Sequence, residues 1–182
     1  MPFPKETHHT AADYWALPDG QRAELIDGTL YDMTPPGFSH QRLVMRLSSA
    51  IDQYIIAHGG PCQVVPAPFA VNLDADDSNW VEPDISVICD PQKITDRGCV
   101  GTPDWIIEVV SPGSRKMDYS IKCGKYGSAG VSEYWVVDPT CNRVTVYRFN
   151  GDHTPQLYTF EQPVQSGLYD DFVVTIAELL RQ

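Results

Sequence analysis

The amino-acid sequence predicts a mixed α/β (α+β) domain with helices packed on the faces of a sheet. Residues 39–58 place Leu43, Val44, Leu47, Ala50, Ile51, Tyr54 and Ile55 at three- and four-residue spacing, the apolar stripe of a helix. Shorter runs such as Trp105 to Val110 and Tyr134 to Val137 are apolar and rich in β-branched residues, the composition of buried strands. Turn residues separate these runs at short intervals. The chain has 182 residues, about one domain's length. It carries no internal repeat, so residues 1–182 are expected to form one unit, with 1–9 as a flexible N-terminal tail.

The elements follow in order. Thr10 can cap a short helix over residues 11–15, which Leu17-Pro18 ends. Ala23 to Ile26 and Thr29 to Met33 read as strands joined at Asp27-Gly28, a hairpin turn signal. Thr34-Pro35-Pro36-Gly37 is a loop, Ser39 a candidate cap for the long helix, and Gly59-Gly60-Pro61 its stop. Gln63 to Leu73 contains Pro66 and Pro68, so it must be an edge or bulged strand. Asp84 to Cys89 and Asp104 to Val110 are strands, with a loop or short helix between them. Asp118 can cap a helix reaching Ala129, which Gly130 stops. Glu133 to Val137, Arg143 to Phe149 and Gln156 to Glu161 are further strands, the last two joined through Asn150-Gly151. Val173 to Leu180 closes the chain as a short strand or helix.

The formal charge is −11, from 13 basic and 24 acidic residues. Such an acidic body disfavours non-specific nucleic-acid binding, which runs on phosphate neutralisation. Residues 105–125 stand apart, with Arg115, Lys116, Lys122 and Lys125 against Glu108 and Asp118. A local basic patch is therefore expected on an acidic protein. No apolar window is long enough to span a membrane, and the N-terminus has no apolar signal core. The five cysteines are odd in number and form no CxxC pair. They are expected to be reduced and mostly buried, in a cytoplasmic protein. No Gly-rich phosphate loop, GxSxG or catalytic cysteine context occurs. Nothing signals the sugar cleft of a two-carboxylate glycosidase.

The chemistry concentrates in acidic residues set among apolar ones. In the strand Trp105 to Val110, alternation puts Ile106, Glu108 and Val110 on one face. A carboxylate there either sits in water or a structural ion pair, or it serves a function. Glu82-Pro83-Asp84 opens another strand, and Pro-Asp alone is as consistent with a turn. Paired side by side, Asp84 and Glu108 would repel unless a proton or cation lay between them. Mg²⁺ accepts one or two carboxylates plus waters and phosphate oxygens. Lys122 shares a helical stripe with Tyr119 and Tyr126, where it either snorkels to solvent or turns into a site. Glu24 alone is unremarkable. His40, opening the long helix, is either exposed or reaches inward.

Together these residues resemble a known family. Ala23-Glu24-Leu25-Ile26-Asp27-Gly28, Ser39-His40, Glu82-Pro83-Asp84-Ile85, Asp104-Trp105-Ile106-Ile107-Glu108-Val109-Val110-Ser111-Pro112, Lys122 with Tyr126, and Gly130-Val131-Ser132-Glu133-Tyr134-Trp135-Val136-Val137-Asp138-Pro139 are similar to the Uma-type putative restriction endonuclease family. That family is a bacterial branch of the PD-(D/E)XK nuclease superfamily, formerly catalogued as a domain of unknown function. The resemblance runs from about residue 10 to the C-terminus. It implies a restriction-endonuclease-like core: a four-stranded mixed central sheet flanked by helices, with additional antiparallel strands. It implies Mg²⁺ or Mn²⁺ held by Asp84 and Glu108, with Glu24 as a further acid. The superfamily lysine follows the second acid by two positions, where this chain has Val110; Lys122 matches the place to which this branch moves it. The implied activity is metal-assisted hydrolysis of DNA phosphodiesters. A homodimer would suit cleavage of both strands. The alternative is a catalytically silent, dimeric binding module that keeps the nuclease fold.

Overall fold

The computed structural model describes residues 8–151 and 154–181. Of the expected N-terminal tail, residues 1–7 lie outside the described residues, while the His9 amide donates to the Gly28 carbonyl at 2.8 Å. In chain order come α1 (Ala11–Trp15), the hairpin β1 (Ala23–Ile26) and β2 (Thr29–Asp32), and the long helix α2 (Phe38–His58). The strands β3 (Gln63–Pro66), β4 (Val71–Asn72), β5 (Trp80–Val81) and β6 (Ile85–Ile88) follow, then β7 (Ile94–Thr95), β8 (Gly98–Val100) and β9 (Trp105–Val109). A wide, π-type helical stretch, Met117–Lys122, runs into α3 (Cys123–Ala129). Then come β10 (Glu133–Asp138), β11 (Arg143–Arg148), β12 (Gln156–Thr159), β13 (Val164–Gln165), β14 (Val173–Val174) and α4 (Ile176–Arg181).

Among the described residues the strands form two six-stranded sheets and one small hairpin. The central sheet has the order β12-β11-β10-β9-β6-β3 and is mixed: β9 and β10 are parallel, and its other neighbours are antiparallel. The proline-bearing β3 lies at its edge, where a missing N–H costs no ladder bond. The second sheet has the order β2-β1-β5-β4-β8-β7. Its β7–β8 hairpin falls in the segment expected to be a loop or short helix. Two- and three-residue strands are too short to display a period.

Alternation along β9 divides the core in two. Trp105, Ile107 and Val109 face α2 and α4, where Leu43, Val44, Leu47, Ile51 and Ile55 are all buried. Each such side chain gains roughly 1.5–3 kcal/mol from leaving water. Ile106 and Val110 face the opposite way, toward Tyr126, Val131, Tyr134 and the second sheet. Helix α2 begins one residue before the expected cap, with Gly37 in the N-cap position, and ends as expected at Gly59, whose φ of 64° suits a residue without Cβ. No helix among the described residues is long and apolar enough to cross a membrane.

The expectation of reduced cysteines is overturned. Cys62 and Cys89 form a disulfide; Cys99, Cys123 and Cys141 are free. Antiparallel pairing sets Gln63 opposite Ile88, so the next step along the ladder brings the two cysteines face to face. The two cysteines are 27 residues apart in sequence, a pairing that spacing motifs do not register. The bridge also removes the argument that the cysteines made for a reducing cytoplasm.

At the start of β10, the buried Glu133 carboxylate accepts from Trp135 Nε1 (2.6 Å), Ser166 Oγ (3.2 Å) and the amides of Gly167 (2.6 Å) and Leu168 (3.0 Å). It ties the 166–168 turn to the central sheet. Two outcomes are expected. Glu133→Ala strands several buried donors and should lower unfolding free energy by on the order of 3 kcal/mol in urea titration. Thiol titration of the unfolded, unreduced protein should count three free thiols, rising to five after reduction.

Candidate active site

The site assembles where the two sheets meet. Ile85 pairs with Ile107 across β6 and β9, so the next antiparallel step sets Asp84 opposite Glu108. Side chains of such cross-strand pairs leave Cβ atoms roughly 4.5–5.5 Å apart. The backbone interlocks the two acids. The Val109 amide donates to Asp84 Oδ2 at 2.8 Å, and the Asp84 amide points to Glu108 Oε2 at 3.4 Å. Pro83 precedes the strand, where it displaces no ladder donor.

Lys122 turns inward rather than snorkelling. Its side chain is only 6% exposed, and Nζ lies 2.8 Å from Glu24 Oε1, 2.9 Å from Glu108 Oε1 and 3.9 Å from Asp118 Oδ1. Glu24, unremarkable in the sequence, is buried on β1, and its Oε1 also accepts from the Glu82 amide at 2.9 Å. The structure thus brings together all four sequence-predicted residues: Glu24, Asp84, Glu108 and Lys122.

It adds others. Tyr126 donates its hydroxyl to Glu108 Oε1 at 2.7 Å. His40 Nε2 lies 3.1 Å from Asp84 Oδ2. Asp118, expected only as a helix cap, is buried inside the helical stretch and accepts from Ser114 Oγ at 2.5 Å. Its four-residue spacing from Lys122 was the available signal. Behind these, Arg22 donates to Glu82 through Nε at 3.0 Å, and the Tyr14 hydroxyl reaches the same carboxylate at 3.2 Å. Tyr119, on the expected stripe with Lys122, turns away to Asp138.

The electrostatics follow from burial. Burial pushes Glu108 well above the usual carboxylate range; Lys122 opposes this, while Asp84, Asp118 and Glu24 reinforce it. Burial likewise raises Asp118 to about 6, with Lys122 and the Ser114 hydrogen bond opposing. For Lys122, burial disfavours the ammonium, but Glu108, Glu24 and Asp118 outweigh it and hold the group well above its ordinary value. Burial also works against a charged His40, and its hydrogen bond to Asp84 wins, raising it.

Glu24, Glu108 and Asp118 thus share one ammonium, with Asp84 paired to His40, leaving the cluster short of positive charge. Carboxylate oxygens remain for a further cation on the facing Asp84–Glu108 pair. Asp84 Oδ1 has no hydrogen-bond partner among the described residues, and Glu108 Oε2 has only the long contact to the Asp84 amide. No group of three or more His, Cys, Asp or Glu side chains among the described residues is set to enclose a metal. That donor set fits a hard cation that keeps its waters, such as Mg²⁺, and not a protein cage.

The expected basic patch does not form. Lys122 is buried in the cluster, Lys125 pairs with Asp27 at 2.6 Å, and Arg115 pairs with Asp138. Only Lys116 of the four stands exposed without an ion pair among the described residues.

Lys122→Met would match the lysine in volume but not in charge, and the ammonium is buried among acids. Removing the ammonium leaves buried carboxylates uncompensated, at a cost of about 3–5 kcal/mol. Burial already raises Glu108 and Asp118, and without the ammonium that opposes it they rise further, so the folded state binds more protons than the unfolded one and stability falls as pH rises. The loss measured by urea unfolding should therefore be larger at pH 8 than at pH 5.

Comparison with known proteins places the fold and the family. A crystal structure of "a putative nuclease belonging to DUF820" from Anabaena variabilis superposes with a TM-score of 0.76, covering 94% of this chain and 97% of that one at 20% identity. The two share a fold. An uncharacterized protein, slr1290 of Synechocystis, is 26% identical over 152 residues, which is 83% of this chain and 78% of that protein. The family described as "Uma2: Putative restriction endonuclease" matches residues 11–177, from α1 into α4, and the chain belongs to that family.

Proposed function

We propose that this protein is a metal-dependent nuclease that hydrolyses DNA phosphodiester bonds, with Asp84 and Glu108 holding Mg²⁺ or Mn²⁺ and Glu24 and Lys122 completing the catalytic set. One observation carries the reading: Glu108 is held by Lys122 and Tyr126 on one oxygen, while its other oxygen faces Asp84. A divalent cation bound there would polarise a phosphoryl oxygen and lower the pKa of a bound water.

The chain's own residues prepare that chemistry. The Val109 amide and His40 fix Asp84 Oδ2 and so orient Oδ1 outward. Lys122 and Tyr126 fix Glu108 Oε1 and orient Oε2. Lys122, kept charged by three acids, presents an ammonium near the position where negative charge develops on the phosphate. Glu24 holds that ammonium from the second sheet. The lysine arrives from the helical segment after β9 and not from the strand itself, where Val110 packs into the core. A homodimer enters the reading only for cleavage of both strands of a duplex, and sedimentation measures it.

The competing reading is a silent, dimeric binding module, and Val110 in the superfamily's lysine position favours it. Cleavage of DNA, offered both as a single strand and as a supercoiled plasmid, separates the two. Cleavage is expected only with Mg²⁺ or Mn²⁺, lost in EDTA, and reduced on the order of a hundredfold or more in Asp84→Asn and Glu108→Gln. Lys125→Met, which alters the ion pair with Asp27 and does not line the pocket, should cut like the parent. Cleavage that survives EDTA or both acid substitutions overturns the nuclease assignment, and no cleavage in either metal supports the silent module.

A further inference from the structure

The reacting groups sit at the bottom of a pocket. Side-chain exposure is 4% for Glu108, 6% for Lys122 and 17% for Asp84. The cavity above them holds about 660 Å³, a volume typical of small-molecule sites and suited to one nucleotide unit at a time. Four exposed prolines edge it: Pro35 and Pro36 from the loop before α2, Pro68 after β3, and Pro112 after β9. Proline rings are apolar and pre-ordered, so contact with them costs little conformational entropy.

The charge on this face is wrong for a duplex. Proteins that bind intact double helices neutralise rows of phosphates. Here the basic side chains lining the pocket are Arg22, His40 and Lys122, and each is engaged with a carboxylate. Nearby, Lys125 and Arg115 are likewise held in ion pairs, which leaves Lys116 as the one exposed, unpaired cation of that segment among the described residues. A single strand asks for different contacts. Its bases are unstacked and present flat apolar faces, and binding rests on stacking and apolar contact as well as on phosphates. A duplex buries those faces in its own stack.

We infer that the pocket takes single-stranded DNA, or a strand splayed from a duplex end, in preference to intact duplex. The identity of the ligand as DNA rests on the nuclease reading above; the strand preference rests on the pocket's depth, its proline edge and its spent cations. One base enters between the proline loops while its neighbouring phosphate reaches the Asp84–Glu108 pair. With so few phosphates neutralised, the affinity should depend weakly on salt, with a log–log slope of about −1 to −2 at roughly −0.7 per phosphate.

The test uses three fluorescent oligonucleotides with Mn²⁺: a single strand, the same sequence as a blunt duplex, and a fork with one unpaired tail. Binding is read by anisotropy and cleavage on a sequencing gel. The single strand and the fork are expected to bind at least tenfold more tightly than the duplex, with cuts confined to unpaired nucleotides. Pro112→Ala should weaken single-strand binding several-fold while leaving the melting temperature unchanged. Equal or tighter duplex binding, or no binding to any of the three, overturns the inference. Single-strand preference in binding without any cleavage upholds the inference while refuting the nuclease assignment, so the two can fail separately.

Discussion

The Lys122 ammonium lies 2.8 Å from Glu24 on β1 and 2.9 Å from Glu108 on β9, and so touches both large sheets at once. Elsewhere the sheets meet through apolar side chains such as Val71, Val81, Ile106 and Val136, which are non-directional in their attraction. The ion pairs supply direction. A buried ammonium is tolerable only when its carboxylates are in place, and they are in place only when both sheets are docked. The relative position of Glu24, Glu108 and Asp118 is therefore a condition of folding as well as a property of the site.

The same group explains why the site holds more acid than it can neutralise. One ammonium serves Glu24, Glu108 and Asp118, with Asp84 alongside and His40 beyond it. Apolar neighbours such as Ile106, Val136 and Tyr134 keep the local medium poor at screening. Repulsion among these acids is stored in the fold, and a proton or a divalent cation relieves it. Around this reservoir Arg22, Arg115 and Lys125 are committed to ion pairs of their own, which is how an acidic surface and a phosphate-directed reading coexist.

Much of this was legible in the residues. The period of α2, the alternation of β9 and the turn chemistry at Asp27-Gly28 and Gly59 are local signals, and local physics fixes them. The resemblance then pointed to Glu24, Asp84, Glu108 and Lys122. What the sequence withheld depends on pairing between distant strands. The Cys62–Cys89 bridge follows from β3 lying beside β6. The burial of Glu24 follows from β1 lying beside β5. His40 meets Asp84 only because α2 packs across the sheet bearing β9. The basic segment misled for a related reason: charge counted along a chain says nothing of the partners that folding brings to it. The short β7–β8 hairpin was hidden by its brevity alone.

The wide helical stretch Met117–Lys122 sets limits on how this part of the gene can vary in length. A π-type turn accommodates one residue more than an α turn, and such bulges behave as insertions absorbed into a helix. Each residue of an α-helix advances the next by about 100°. Losing one residue upstream of Lys122 would shorten the connection from β9, whereas losing one between Lys122 and Tyr126 would swing the tyrosine away from Glu108. Point substitutions on the outer face, at Lys116 or Ser120, leave that count intact. Drift by substitution is therefore open to this segment, while a change of length between Lys122 and Tyr126 is not, because that spacing decides which groups meet Glu108.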